Sequence, residues 1–82
     1  MKIKFSRHAK RRMKLYDIRE EDAIEVIQSG KKEILEEGKI AFVETLNNYN
    51  YPLKAVCKII ENKMIVVTSY LLKKRMKDEN RL

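Results

Sequence analysis

The residues of this chain that are best suited to chemistry are one histidine and a set of cations. RNA can be cleaved through its own 2′-hydroxyl, which needs a base for that hydroxyl, an acid for the departing 5′-oxygen and cations for the phosphate. Imidazole, phenol, guanidinium and ammonium groups can fill these roles. The candidate catalytic residues are His8, which is the only histidine, Arg12, Lys54 and Tyr70.

Further bases near these four residues predict a surface for the RNA backbone. Lys54 and Lys58 are four positions apart, so they lie on the same face of a strand. Tyr70 ends the strand that we expect to pair with theirs. The candidate nucleic-acid-binding residues are Arg7, Lys10, Arg11, Lys14, Lys58, Lys73, Lys74 and Arg75.

Other kinds of active site find little support in the composition. One histidine and one cysteine cannot form a closed structural zinc site, so we expect no metal and no other cofactor. Cys57 lies within an apolar segment, which favours a packing role over that of a nucleophile. The chain also has no glycine-rich phosphate loop.

Each candidate also has a simpler interpretation. A lone histidine near a helix N-terminus is often a surface or cap-associated residue, and Tyr70 would serve equally well as an aromatic residue at the edge of the core. The bases of the first helix are compatible with a solvated face, or with neutralisation by Glu21, Asp22 and Glu25 of the next helix. The basic tail is compatible with disorder.

Length and charge limit the kind of protein and its partners. A chain of 82 residues suits one domain, here residues 1–82, and a net charge of +7 favours nucleic acid, an anionic membrane or an acidic protein as partner. Residues 1–14 contain seven bases and no acid, whereas residues 15–70 contain seven bases and ten acids. A single cysteine and the lack of a leader-like segment favour the cytoplasm. No apolar run reaches the length of about 20 residues that spans a membrane, so we expect no membrane partner.

The first elements must position His8 and Arg12. Residues 2–5 alternate polar and apolar side chains, which predicts an edge strand. Ser6 then suits the N-cap of a helix, whose buried face would contain Ala9, Met13 and Tyr16. The helical repeat places His8 and Arg12, one turn apart, on the flank beside that face.

The remaining chain predicts a second helix followed by a sheet. The helix begins either at Asp17, with a capping box of Asp17 and Glu20, or at Arg19, with Arg19 at the cap. It ends at about Ser29, with Gly30 as the C′ residue. The strands expected after it cover residues 32–36, 40–46, 53–60 and 64–70, and residues 71–82 form a short basic helix or a fraying end. We therefore expect an α+β fold with two N-terminal helices packed on one face of a small antiparallel meander sheet.

Two motifs give this chain a family resemblance. Residues 6–13, with the order Ser-x-His-Ala-x-x-Arg-Met, and the later Val66-x-Thr68-x-Tyr70 are similar to the opening and closing segments of a short prokaryotic domain family of unknown function. That family is commonly grouped with the RelE/ParE toxins, which have two N-terminal helices on a small antiparallel sheet. Arg19 departs from the pattern, because the family usually has Ser or Thr at this cap.

The resemblance implies a toxin of a toxin–antitoxin system. Such a toxin would be a metal-independent endoribonuclease acting on free or ribosome-bound mRNA, and its partner would be an acidic antitoxin protein. Only His8, Arg12, Thr68 and Tyr70 carry over as motif positions, whereas Lys54, Lys58 and the tail bases depend on the strand-face argument. The alternatives are a noncatalytic ParE-like toxin, a nucleic-acid-binding module, and a degenerate member whose sheet only pairs with a partner.

Overall fold

A computed structural model describes residues 2–73, so Lys74, Arg75 and the rest of the predicted basic end lie outside the described residues. Two helices and five strands make up this part of the chain. The elements are β1 (Lys2–Phe5), α1 (Arg7–Leu15), α2 (Glu20–Ser29), β2 (Lys31–Ile34), β3 (Lys39–Glu44), β4 (Leu53–Ile60) and β5 (Lys63–Leu71).

The five strands form one mixed sheet with the order β1-β5-β4-β3-β2. Strands β2 to β5 are an antiparallel meander, as expected, and β1 lies at the edge, as expected. However, β1 pairs with β5 in parallel, so the prediction of a purely antiparallel sheet is wrong. No hairpin joins β1 to β5, and the intervening chain is long enough for a parallel pair, so local sequence patterns leave the direction of this pairing open.

Helix α1 begins as the sequence predicts. The Ser6 hydroxyl accepts a hydrogen bond from the Ala9 backbone N–H at 3.0 Å, which is the geometry of a serine N-cap. The same hydroxyl donates to the carbonyl of Val67 at 3.2 Å, and the Ser6 backbone N–H donates to the carbonyl of Val66. These bonds fasten the start of α1 to β5.

Helix α2 has Arg19 at its N-cap, with no capping hydrogen bond from that side chain. Asp17 instead lies in the turn between the helices at φ 58°, so the capping box of Asp17 with Glu20 is not formed. Gly30 follows α2, but its φ of −80° is not the left-handed value expected of a C′ glycine. A Cβ at Gly30 would lie 2.5 Å from the Val26 carbonyl oxygen and 2.8 Å from that of Val43, so this glycine is needed for close packing.

The core lies between the two helices and one face of the sheet. All of its members are less than 10% exposed, and the sheet contributes about as many of them as the helices do. They include Ala9, Met13, Ala23, Val26 and Ile27 from the helices and Phe42, Leu53, Ala55, Cys57 and Val66 from the sheet.

A β-bulge in β5 decides which residues face the core. Cys57 pairs with Val66 and Val56 pairs with Thr68, so Val67 has no partner in the register. Val66 and Ser69, three positions apart, are consequently both fully buried. One extra residue reverses the alternation of all side chains beyond it.

Candidate nucleic-acid interface

The sheet face turned away from the core, which we call the outer face, is rich in lysine. Strand alternation and register place seven lysines on it, and Glu33 is the one acid among the strand positions on this face. Small or apolar residues, among them Ala41, Val56 and Ile65, lie between the lysines. The lysines are Lys2, Lys4, Lys31, Lys39, Lys54, Lys58 and Lys63.

The bulge at Val67 brings Tyr70 to the outer face. Without it, Tyr70 would share the parity of Val66 and would face the core. With it, Tyr70 lies directly opposite Lys54 in the register, on the strand that the sequence predicts to pair with the strand of Lys54. The Ser69 hydroxyl donates to the carbonyl of Lys54 at 3.0 Å, which further fixes this end of the two strands.

Arg12 lies where α1 meets the end of β5. Its guanidinium carbon is 5.5 Å from the centre of the Tyr16 ring and 5.7 Å from that of Tyr70, distances typical of cation–π contacts. β1 pairs with β5 only as far as Val66, so Arg12 reaches Tyr70 beyond the end of that pairing. The prediction that Arg12 lies beside the core is therefore confirmed.

The Arg12 guanidinium has no anionic partner within residues 2–73. Its Nε is buried without a hydrogen-bond partner, and both ion pairs in this part of the chain involve Arg19 instead. A guanidinium without a carboxylate partner is a suitable group for a phosphate, because its terminal N–H groups match two phosphate oxygens.

His8 lies one turn before Arg12 on α1, but it is exposed. The expectation that His8 lies on a flank where packing fixes its position is therefore wrong. Together with Arg11, Arg12 and Leu15 it lines a surface depression of about 470 Å³. Leu15, which lines the same depression, is 73% exposed.

The predicted solvated face of α1 is confirmed. Its four bases are exposed, and within the described chain they make no ion pair. Their neutralisation by the acids of α2 is not observed, because Glu21 and Asp22 pair with Arg19. The four bases are Arg7, Lys10, Arg11 and Lys14.

Lys73 is the last of the predicted RNA-binding bases that the structure describes. Lys73 is half-buried, with its ammonium nitrogen 5.4 Å from the centre of the Tyr51 ring. The backbone N–H of Leu72 donates to the carbonyl of Pro52 at 2.8 Å. Lys73 is thus held beside the loop that leads into β4.

A polar cluster that the sequence does not predict holds this loop, with the buried Asp22 carboxylate at its centre. The Asp22 carboxylate accepts hydrogen bonds from the Tyr49 hydroxyl at 2.6 Å and from the Asn48 amide at 3.1 Å, and Arg19 lies 3.5 Å away. Burial raises the pKa of Asp22, but these hydrogen bonds and the Arg19 charge outweigh it and leave the pKa below its usual value. In the sequence, Asp22 is one of three consecutive acids at the N-terminus of α2. Only its tertiary contact with Tyr49 distinguishes it from the other two.

Cys57 has the packing role that the sequence predicts. Its side chain is fully buried in the core, and burial raises the pKa of its thiol to about 12. Among residues 2–73, no three His, Cys, Asp or Glu side chains come together as a potential metal site. Neither helix between residues 2 and 73 has the length and hydropathy of a membrane-spanning segment.

Fold and surface together define a small α+β domain with a basic outer sheet face. Residues 5–70 match the domain of unknown function DUF4258, and the chain belongs to this family. Neither the curated proteins nor the solved structures include a match to this chain. Membership of a family of unknown function agrees with the resemblance seen in the sequence, whereas the grouping with RelE/ParE toxins remains a prediction.

Proposed function

We propose that this protein is a RelE-like toxin that binds RNA on its basic surface and cleaves it with its own side chains. The observation that carries the proposal is Arg12, a guanidinium in contact with two aromatic rings and without a carboxylate partner in the described chain. A pre-positioned cation of this kind stabilises the charge of a phosphate as that charge develops.

The neighbours of Arg12 supply the other parts of the reaction. The 2′-hydroxyl gives up its proton to a base and attacks the phosphorus, a 2′,3′-cyclic phosphate forms, and the 5′-oxygen leaves with a proton from an acid. Tyr70 or His8 would transfer these protons. Arg12 and Lys54 would stabilise the phosphate, and the exposed bases of α1 would hold the RNA backbone.

A second function is favoured by the exposure of His8. Among residues 2–73, the His8 side chain has no hydrogen bond that would orient it. A protein that binds RNA or inhibits another target without cleavage would need no oriented imidazole. This rival predicts that activity follows surface charge and is indifferent to His8.

Two tyrosine variants test the proposed role of Tyr70. Tyr70→Phe and Tyr16→Phe each remove one hydroxyl and keep a ring beside Arg12, but only Tyr70 lies opposite Lys54. We expect Tyr70→Phe to slow cleavage by about 10²-fold or more, the usual size of a lost proton transfer, and Tyr16→Phe to cleave normally. The measurement is the rate of product formation from labelled mRNA, alongside growth arrest on expression.

The outcomes separate the two functions. Equal rates for both tyrosine variants would remove Tyr70 from the mechanism. Salt-sensitive RNA binding without product in the wild type would favour the noncatalytic rival. His8→Ala is the third variant. If it no longer cleaves RNA but binds it as tightly as the wild type, the imidazole carries out the second proton transfer.

A further inference from the structure

One end of the outer face has lysines that the proposed reaction does not use. They lie near the turn that joins β4 and β5, about Glu61 and Asn62. The register places Lys39 directly opposite Lys58 and Lys2 directly opposite Lys63. We call this set the hairpin row, and its members are Lys2, Lys4, Lys39, Lys58 and Lys63.

This arrangement is unfavourable for the isolated protein. Like charges directly opposite each other destabilise a sheet. No carboxylate lies within 4.0 Å of any of these lysines in the part of the chain that the structure describes. A bound polyanion would relieve the repulsion, and its release of counterions would add to the affinity.

The hairpin row is too far from Arg12 and Tyr70 to share their phosphate. Lys54 and Lys58 are four residues apart on β4, which corresponds to about 13 Å along a strand. The row between them contains Val56, 8% exposed, and Ala41, fully buried, with Thr68 on one side, Glu33 on the other and no base. The hairpin row and the cations Arg12 and Lys54 beside Tyr70 are therefore two separate groups of positive charge.

We propose that the hairpin row binds a second stretch of backbone of the RNA whose cleaved phosphate lies at Arg12 and Tyr70. This inference depends on the proposed function, and it specifies that the RNA substrate binds as an extended single strand. A single strand can follow β4 and β5 from Tyr70 to Lys58, whereas a dinucleotide, which has one phosphodiester, would reach only one of these two positions.

The basic face favours RNA over an anionic membrane for a geometric reason. Lys54 and Lys58 lie along one strand, and Lys54 is directly opposite Tyr70, which contacts Arg12, so the charges extend from the candidate site. Ile60 is the most exposed large apolar residue at this end of the outer face, with 50% of its surface accessible. A membrane-binding surface usually adds a broad apolar face to its bases.

The test measures binding of RNA analogues that cannot be cleaved. A fully 2′-O-methylated single strand of about twelve nucleotides, within the usual range of site sizes, and as the shorter strand a 2′-O-methylated dinucleotide with one phosphodiester, are titrated by fluorescence anisotropy at several salt concentrations. For the longer strand, Lys39→Ala and Lys63→Ala should each weaken binding and reduce the steepness of the log–log salt dependence by about 0.7. Binding of the shorter strand should not change.

Lys32→Ala is the matched control, because Lys32 is an exposed lysine paired with Phe42 on the other face of the sheet. An unchanged salt slope in Lys39→Ala and Lys63→Ala, or an equal loss for the shorter strand, would overturn the proposal. Tighter binding to phosphatidylglycerol vesicles than to RNA, lost in the same variants, would assign the row to membranes instead. Cleavage of unmodified RNA is scored separately, so a failed nuclease and a failed second row give different results.

Discussion

At the residue scale, surroundings distinguish Arg12 from the other bases of α1. The helical repeat alone places Arg12 on the flank of the buried face, and the structure agrees. The same repeat places His8 on this flank, but the structure leaves His8 exposed, so its position is not fixed by packing. Periodicity gives the direction of a side chain, whereas the neighbour that fixes it comes from elsewhere in the fold.

The Asp22 cluster leads to a prediction about stability. Tyr49→Phe removes a hydroxyl that donates to Asp22 and accepts from the Arg19 backbone N–H, so it should lower the free energy of unfolding by about 1–3 kcal/mol. Tyr51→Phe is the control, because its ring keeps the contact with Lys73. Equal stability of the two variants in denaturant titrations would show that the cluster contributes little.

The same cluster predicts how stability depends on pH. The pKa of Asp22 is lowered by folding, so its contribution is complete above the usual value of 3.8 and is lost as the pH falls through the folded pKa. The pKa of Tyr49 is raised by burial and by Asp22, so its contribution is lost as the pH rises above 10.0. The stability difference between wild type and Asp22→Asn should therefore shrink below pH 3.8. A constant difference would contradict the assignment.

Cys57 provides a prediction about reactivity. A fully buried thiol whose pKa is raised to about 12 contains very little thiolate near neutral pH. The native protein should therefore resist iodoacetamide at pH 8, and the denatured protein should react at the rate of a free thiol. Mass spectrometry after timed alkylation measures both rates. Rapid modification of the native chain would show that the sheet opens around Cys57.

At the element scale, the bulge at Val67 shows where sequence patterns stop being sufficient. The strand boundaries were predicted to within a few residues, and Leu53–Ile60 was predicted without error. The simple alternation of residues 64–70 would nevertheless place Tyr70 with Val66 in the core. Hydrogen bonds from Ser6 to Val66 and Val67 accompany the bulge, and these contacts join opposite ends of the chain.

Gly30 provides a prediction at the same scale. Gly30→Ala would drive a Cβ against two carbonyl oxygens, where α2 meets β3, and should cost about 1–3 kcal/mol. Gly38→Ala is the comparison, because that turn position has φ 73° with no atom within 4 Å of the new Cβ. Only conformational strain, about 1–2 kcal/mol, is expected there. Denaturant midpoints measure both, and a neutral Gly30→Ala would contradict the close packing.

At the scale of the whole molecule, folding separates charges that are mixed along the sequence. Residues 15–70 contain more acids than bases, yet five of their seven bases lie on the outer face. Most acids belong instead to α2 and to the turns. Counting charges along the sequence therefore identifies the basic first helix but underestimates the positive charge of the outer face. Class, helices and strands were predictable from local patterns, whereas the parallel β1–β5 pair and the basic face depend on how distant strands meet.

The most direct measurement of the central claim is the chemistry of the RNA ends. Labelled mRNA, alone and during translation, is incubated with the wild type, Tyr70→Phe, Tyr16→Phe and His8→Ala. We expect fragments with 2′,3′-cyclic phosphate ends, normal cleavage by Tyr16→Phe, and rates lower by about 10²-fold or more in Tyr70→Phe. RNA binding without any fragments, or full activity in both Tyr70→Phe and His8→Ala, would contradict it.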